Sequence, residues 1–248
     1  MNPILLITGG SRGIGAATAL LAARRGYAVA VNFTTNAQAA DDVVQQIRAS
    51  GGKAIAVQAD VGEEAQVMAM FAMIDNELGR LTALVNNAGV VDVAARVDEM
   101  SVARLKRMFD INVLGSFLCA REAVKRMSTR GGGAGGAIVN VSSVAARLGG
   151  AGQYVDYAAS KGAIDSFTVG LAKEVALEGI RVNAVRPGII ETDIHASGGQ
   201  PDRARQMAPM VPLQRAGSAL EVAQAIIWLL SDESSYTTGS LLDVAGGR

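Results

Sequence analysis

The chain has 248 residues, half of them apolar, and its 23 basic and 23 acidic side chains cancel. That balance argues against a general binder of nucleic acid or of an acidic membrane surface, which carries an excess of Lys and Arg. The lone Cys119 excludes an internal disulfide framework and zinc-cluster spacing, and 29 Gly against 5 Pro suits many tight strand–helix turns.

The run from Ile4 to Ile7 predicts a first strand that ends in glycines, followed by a helix over 16–25 closed by Gly26. Strands are expected at 28–33, 54–57, 81–85, 137–141, 180–185 and 241–244. Helices are expected at 38–49, 63–78, 101–127, 157–177 and 219–230. Alternating strands and helices imply one α/β domain over 1–248, its parallel sheet covered on both faces. Near-continuous apolar strands fit burial on both sides.

Arg130 to Gly136 reads as a flexible glycine-dense loop, and Cys119 as a buried small hydrophobe. Met68, Met70 and Met73 fit a helix packed on the sheet, and Trp228 fits core or a subunit interface. His195, the single histidine, reads as a solvated loop residue rather than a proton carrier. No basic, apolar and cleavable leader precedes Pro3, and no run of about 20 apolar residues appears, so a soluble cytoplasmic protein is expected.

Two motifs carry chemistry. Thr8-Gly9-Gly10-Ser11-Arg12-Gly13-Ile14-Gly15 follows the first strand and opens the first helix. Glycines there let the backbone approach a pyrophosphate, which the N–H groups and dipole of the helix start favour. The second strand ends in Asn32-Phe33-Thr34-Thr35-Asn36, without the acid that would grip ribose hydroxyls and repel a 2′-phosphate. With Arg12 able to pair with that phosphate, NADP(H) is favoured over NAD(H). Asp60 and Val61, after the third strand, are expected to contact adenine; Asp60 as a helix N-cap is a compatible reading.

The second motif is Tyr157-Ala158-Ala159-Ser160-Lys161, which sets a phenol and an ammonium on one helix face. A free tyrosine ionises near pH ~10. A nearby cation favours the phenolate and draws that value toward the range of an acid–base catalyst. Asn112, in Asp110-Ile111-Asn112-Val113, is a poor helix former inside a long helix and needs a reason to be there.

Together with Asn86-Asn87-Ala88-Gly89, Val141-Ser142-Ser143, Pro187-Gly188 and the ending Asp243-Val244-Ala245-Gly246-Gly247, these motifs occur in order along the whole chain. In this the chain resembles the classical short-chain dehydrogenase/reductase family, most closely its 3-oxoacyl-carrier-protein reductase and carbonyl reductase branch. The resemblance implies a Rossmann-type sheet of seven strands and hydride exchange between NAD(P)(H) and a carbonyl or secondary alcohol. It implies Tyr157 as general acid and base, and Lys161 as its electrostatic partner and a holder of the nicotinamide ribose. Ser143 is implied as donor to the substrate oxygen, with Ser142 as rival. The usual serine position, thirteen before the tyrosine, is Val144 here, and one extra residue in Gly152–Asp156 accounts for the offset. Tyr154 is a decoy phenol, because residue 158 is alanine.

Asn112 is implied to kink its helix and hold a proton-relaying water. Gly9, Ser11, Arg12, Gly13, Ile14, Gly15, Asn32, Phe33, Asp60, Val61, Asn87, Ala88, Gly89, Tyr157, Lys161, Pro187, Gly188, Ile190 and Thr192 form the expected cofactor contacts. No metal site is expected. A short substrate lid is expected over about 190–212, and family members commonly form tetramers through the two long helices. Competing readings are a reductase acting on acyl carrier protein, with Arg126, Arg130 and Lys173 as a docking patch, a non-catalytic dinucleotide sensor, and a structural subunit.

Overall fold

A computed structural model describes residues 2–248, apart from the side chains of His195 and Ser197. The reading of His195 as a solvated side chain therefore lies outside the described residues.

In chain order the elements begin β1 (Ile4–Ile7), α1 (Gly13–Arg24), β2 (Ala28–Phe33), α2 (Ala37–Ala49), β3 (Ala54–Gln58), α3 (Glu64–Glu77) and β4 (Ala83–Asn86). They continue with α4 (Val102–Phe109), α5 (Gly115–Met127), β5 (Gly136–Val141), α6 (Ala145–Leu148), α7 (Val155–Val175) and β6 (Ile180–Pro187). The chain closes with β7 (Ile190–Glu191), α8 (Ile194–Ser197), α9 (Arg203–Met207), β8 (Gly217–Ser218), α10 (Ala219–Leu230) and β9 (Leu241–Val244).

Seven strands form one parallel sheet in the order β3-β2-β1-β4-β5-β6-β9, and β7 pairs with β8 separately. The pleat sends alternate β1 residues to opposite faces. Leu5 and Ile7 join Ala19, Val43 and Ile226 beneath α1, α2 and α10. Ile4 and Leu6 join Phe71, Cys119 and Ala172 beneath α3, α5 and α7. This two-sided burial explains why β1 contains no polar residue. Each large side chain so buried contributes about 1.5–3 kcal/mol. Strand order reverses between β1 and β4, which opens a crevice at their carboxyl ends.

Several expectations need correction. The long helix over 101–127 is interrupted by a π-helical turn, Asp110–Leu114, that contains Asn112. The stretch from Arg130 to Gly136 is tied down rather than flexible: the Arg80 guanidinium donates to the carbonyls of Arg126, Gly131 and Gly132 at 2.6–2.8 Å. Three of its glycines are required by close packing: a Cβ on Gly133 would lie 2.1 Å from the Met127 carbonyl oxygen, and one on Gly135 or Gly136 would lie 2.4 Å from a backbone oxygen. Met70 is buried, but Met68 and Met73 are about half exposed on the outer face of α3. Asp60 is not a helix cap: the cap of α3 is Glu63, and Asp60 Oδ1 accepts from the Gly62 N–H at 2.9 Å. Trp228 is 39% exposed, so it is not core. Among the described residues no helix is long and apolar enough to cross a membrane.

Candidate active site

The crevice forms a cleft of about 790 Å³, within the ~300–1,000 Å³ of small-molecule sites. One end is the glycine loop. Gly9 and Gly13 take left-handed φ values of 59° and 52°, which disfavour any side chain. A Cβ on Gly13 would also lie 3.2 Å from Thr192 Cγ2. The loop hangs from polar groups at the strand ends. Asn32 Oδ1 accepts from Gly9 N at 3.1 Å, and the Asn32 carbonyl accepts from Gly10 N at 2.8 Å. Thr8 Oγ1 accepts from the N–H groups of Asn87 and Ala88, while Asn87 Nδ2 donates to the carbonyls of Thr8 and Gly9. The narrow cradle of glycine backbone beside a helix start fits a dinucleotide pyrophosphate.

Gly9, Ser11, Arg12, Gly13, Ile14, Phe33, Asp60, Val61, Asn87, Ala88, Gly89, Pro187, Gly188, Ile190 and Thr192 all line this cleft, as do Ser143, Tyr157 and Lys161. Three expected residues do not. Asn32 is 1% exposed and spends its Nδ2 on the carbonyls of Val57 and Ala59, so it shapes the loop from behind. Gly15 is buried, and a Cβ there would lie 2.4 Å from the Gly9 carbonyl oxygen; it is a packing residue. Asn112 is 1% exposed. The π-turn aims its amide at Val90, whose N–H it accepts at 2.8 Å and whose carbonyl it donates to at 3.0 Å, and its Nδ2 also donates to Ser160 Oγ at 3.1 Å.

The chemical end of the cleft is built by β5 and α7. Lys161 is 4% exposed and its Nζ donates to the Val141 carbonyl, the last of β5, at 2.8 Å. Burial pushes its pKa down to about 8; Asp165, one helical turn on, acts in the opposite sense. A side chain on Gly89 would place its Cβ 3.5 Å from Lys161 Nζ and 3.4 Å from Asn112 Oδ1, so glycine keeps this corner open. Lys161 Nζ lies 5.6 Å from the Tyr157 ring centroid. The tyrosine does not show the depressed pKa expected from its lysine neighbour. Burial raises it, and only the Ser143 side chain, bonded to the phenol oxygen, draws it back. That contact favours Ser143 over Ser142. Ser142 is 2% exposed and its Oγ donates to the Lys161 carbonyl, which anchors α7 to β5.

Sequence reasoning missed the groups that fix α7. Arg104 of α4 forms a two-pronged pair with Asp156, at 2.8 and 3.2 Å, and its Nη1 donates to the Val93 carbonyl. The Asp156 side chain is fully buried and also accepts from the Tyr157 N–H at 2.9 Å. This pair joins α4, the loop following β4 and the start of α7 next to the phenol. On the far side of Lys161, Asp165 takes both its bonds from Arg186 on one oxygen, and its Oδ1 is buried without a partner among the described residues. Only the residue types, acids one before Tyr157 and four after Lys161, could have drawn attention to these positions.

A dinucleotide cradle at the switch point of a doubly wound sheet, joined to a tyrosine–lysine pair, defines an oxidoreductase. The family described as enoyl-(acyl carrier protein) reductase matches residues 9–248. Uncharacterized oxidoreductase YgfF of Escherichia coli (strain K12) is 59% identical over 99% of each chain. The 3-oxoacyl-[acyl-carrier-protein] reductase FabG of Staphylococcus aureus is 36% identical over 100% of this chain and 98% of its own. A short-chain type dehydrogenase/reductase from Mycobacterium marinum superposes with a TM-score of 0.92 at 36% identity, covering 99% of this chain and 94% of that one. The chain belongs to the short-chain dehydrogenase/reductase family and is an NAD(P)-dependent oxidoreductase.

Two outcomes follow from the buried charges. Arg104→Met leaves Asp156 charged and unpaired at zero exposure, so urea unfolding should show a loss of about 3–5 kcal/mol. For Lys161, the folded pKa of about 8 lies below the ordinary lysine value of 10.5. Between those values the unfolded chain holds more protons than the folded one, so stability rises with pH; below 8 the burial penalty is fully present. Wild-type stability measured from pH 8 to 10 should therefore gain on that of Lys161→Met, and a constant difference would contradict the buried charge.

Proposed function

We propose that the protein is a single-domain, cytoplasmic, NADP(H)-dependent carbonyl reductase or secondary-alcohol dehydrogenase, with Tyr157 as its general acid and base. The observation that carries this reading is the meeting of Tyr157, Ser143 and the buried Lys161 on the wall of a cleft that the glycine loop shares. When bound, the nicotinamide supplies hydride exchange with the substrate carbon. Tyr157 gives its hydroxyl proton to the oxygen on that carbon in reduction and removes it in oxidation. Burial keeps the phenol protonated, so the proton to be donated is present, and the Ser143 hydroxyl lowers the cost of giving it up. Ser143 donates its single hydroxyl hydrogen to the same substrate oxygen.

Lys161 supports the phenolate by its fixed charge and holds the nicotinamide ribose. Asn112, walled off from the cleft, acts as a positioning residue: it holds Val90 and Ser160 in place beside Lys161.

The preference for NADP(H) rests on the rim at the end of β2. Thr34, Thr35 and Asn36 line it without a carboxylate, and the exposed Arg12 faces the same cleft. A 2′-phosphate there meets a cation and neutral donors. An acyl-carrier-protein substrate is less well supported. Docking that acidic partner needs unpaired basic groups, but of the three candidates Arg126 is bound to Asp75 and Glu122 and Arg130 to Glu178, which leaves only the exposed Lys173 without an ion pair among the described residues. Small free carbonyl or alcohol substrates fit better. Exposed Phe109, Leu114 and Phe117 beside α7, with Phe117 stacked on Phe167 at 3.8 Å, support a homotetramer through the two long helices.

Tyr157→Phe should lower turnover of a ketone panel by roughly 10²–10⁴ while dinucleotide affinity, followed by fluorescence titration, stays nearly constant. Full activity in that variant would remove the assignment, and inactivity of the wild type on every carbonyl and alcohol would favour a dinucleotide sensor. Arg12→Ala should weaken NADPH binding about tenfold, which is ~1.4 kcal/mol, and leave NADH binding unchanged.

A further inference from the structure

The substrate half of the cleft contains a cation that the proposed reaction does not use. Arg203 is the first residue of α9, in the segment that follows β7, and it lines the cleft together with Gln153, Tyr154 and Tyr157. Its guanidinium carbon lies 5.1 Å from the centroid of the Tyr154 ring. Its Nη1 donates to Gln200 Oε1 at 2.5 Å and its Nη2 to Gln153 Oε1 at 3.0 Å. Tyr154 is 9% exposed and lies three residues before Tyr157, so it is an anchored platform for the guanidinium.

What distinguishes Arg203 is the charge of its partners. Both are neutral amides, and no carboxylate among the described residues forms a salt bridge with it. The other cations of the cleft are accounted for differently. Lys161 serves Tyr157, Arg12 sits at the glycine loop and Arg107 faces Asp92 at 4.0 Å, while the Arg248 guanidinium has no partner, neutral or charged, among the described residues. Of the cleft carboxylates, Asp60 accepts from the Gly62 N–H, Asp92 faces Arg107 and also accepts from the Val93 N–H, and Asp193 is exposed next to α8. A guanidinium has five N–H donors in a rigid fork. Two are used here, and the stack on Tyr154 and the two amides set the plane of the rest.

We propose that Arg203 is a specificity-determining residue that binds a carboxylate of the substrate, so that the preferred substrates are keto acids or hydroxy acids rather than neutral ketones and alcohols. This rests on the dehydrogenase reading above. A two-pronged arginine–carboxylate contact is charge-assisted, roughly twice as strong as a neutral hydrogen bond, and directional. It is strengthened when a bound substrate displaces water from the cleft. Tyr154 and Gln153 belong to the same short stretch that delivers Tyr157. The anion site and the proton carrier are thus held by one piece of backbone, which sets a defined span between the carboxylate and the reacting carbon.

The test uses straight-chain keto acids with two to six carbons between ketone and carboxylate, and their primary amides. Binding is measured by calorimetry on the full-length protein with NADP(H) present. Wild type should bind at least one acid ten- to a hundredfold more tightly than its amide. Arg203→Gln should bring that ratio close to one without changing amide affinity, Arg203→Lys should retain part of it, and Arg205→Gln, on the exposed Asp202 pair, should leave it intact. Equal binding of acids and amides throughout the wild-type series, or a preference that survives Arg203→Gln, overturns the proposal. Turnover of the same compounds separates the two claims. Selective binding without turnover of any member leaves the anion site standing and removes the dehydrogenase reading. Turnover that ignores substrate charge does the reverse.

Discussion

A charged amine held out of water is the constraint on which this site depends. Lys161 is 4% exposed, and an ion so buried carries a desolvation penalty of several kcal/mol. The depressed pKa of about 8 is the direct sign of that penalty. It is borne only because the Val141 carbonyl receives the ammonium, Asp165 lies a turn away and Gly89 leaves room. All three conditions require α7 and β5 to be fixed relative to each other. Ser142 and the Asn140–Thr168 bond provide this, tying the strand to the helix from within the core.

The same economy of buried polar groups operates along the carboxyl edge of the sheet. Both faces of the sheet are largely apolar, and several of the polar side chains it carries gather where the strands end. There they bind backbone instead of ligand. Thr8, Asn32 and Asn87 clasp the glycine loop, and Asn86 donates to Asn140 at 2.9 Å in the next strand. Buried polar groups that are paired favour a rigid, single arrangement; of these side-chain atoms only Asn86 Oδ1 is buried without a partner among the described residues. The dinucleotide cradle is therefore preformed by strand-end side chains, and the glycines supply the absence of bulk.

Much of this was legible in the sequence. The strand–helix alternation is correct along the chain, since uninterrupted apolar runs such as Ile4–Ile7 have few alternatives to a strand buried on both faces. The cleft residues were also legible, because glycine loops and the tyrosine–lysine spacing are local patterns. Errors fell where a residue's role depends on something distant in sequence. Asn32 and Gly15 sit inside the motif yet face away from the cleft, because a strand alternates its sides and a helix start buries one of its own. The Arg130–Gly136 stretch looked loose by composition, but Arg80, some fifty positions earlier, ties it down.

The sequence by itself determined the layered α/β architecture, the dinucleotide cradle and the identity of the phenol and amine, all of which follow from short-range spacing and the burial of apolar runs. Only the tertiary structure decided which hydroxyl meets Tyr157, that Asn112 is sealed behind the cleft, that Arg104 and Asp156 join, and that Arg203 is left with neutral partners. Electrostatics and desolvation act through space, over groups as far apart in the chain as residues 104 and 156, and a linear pattern does not record which charges the fold brings within reach of one another.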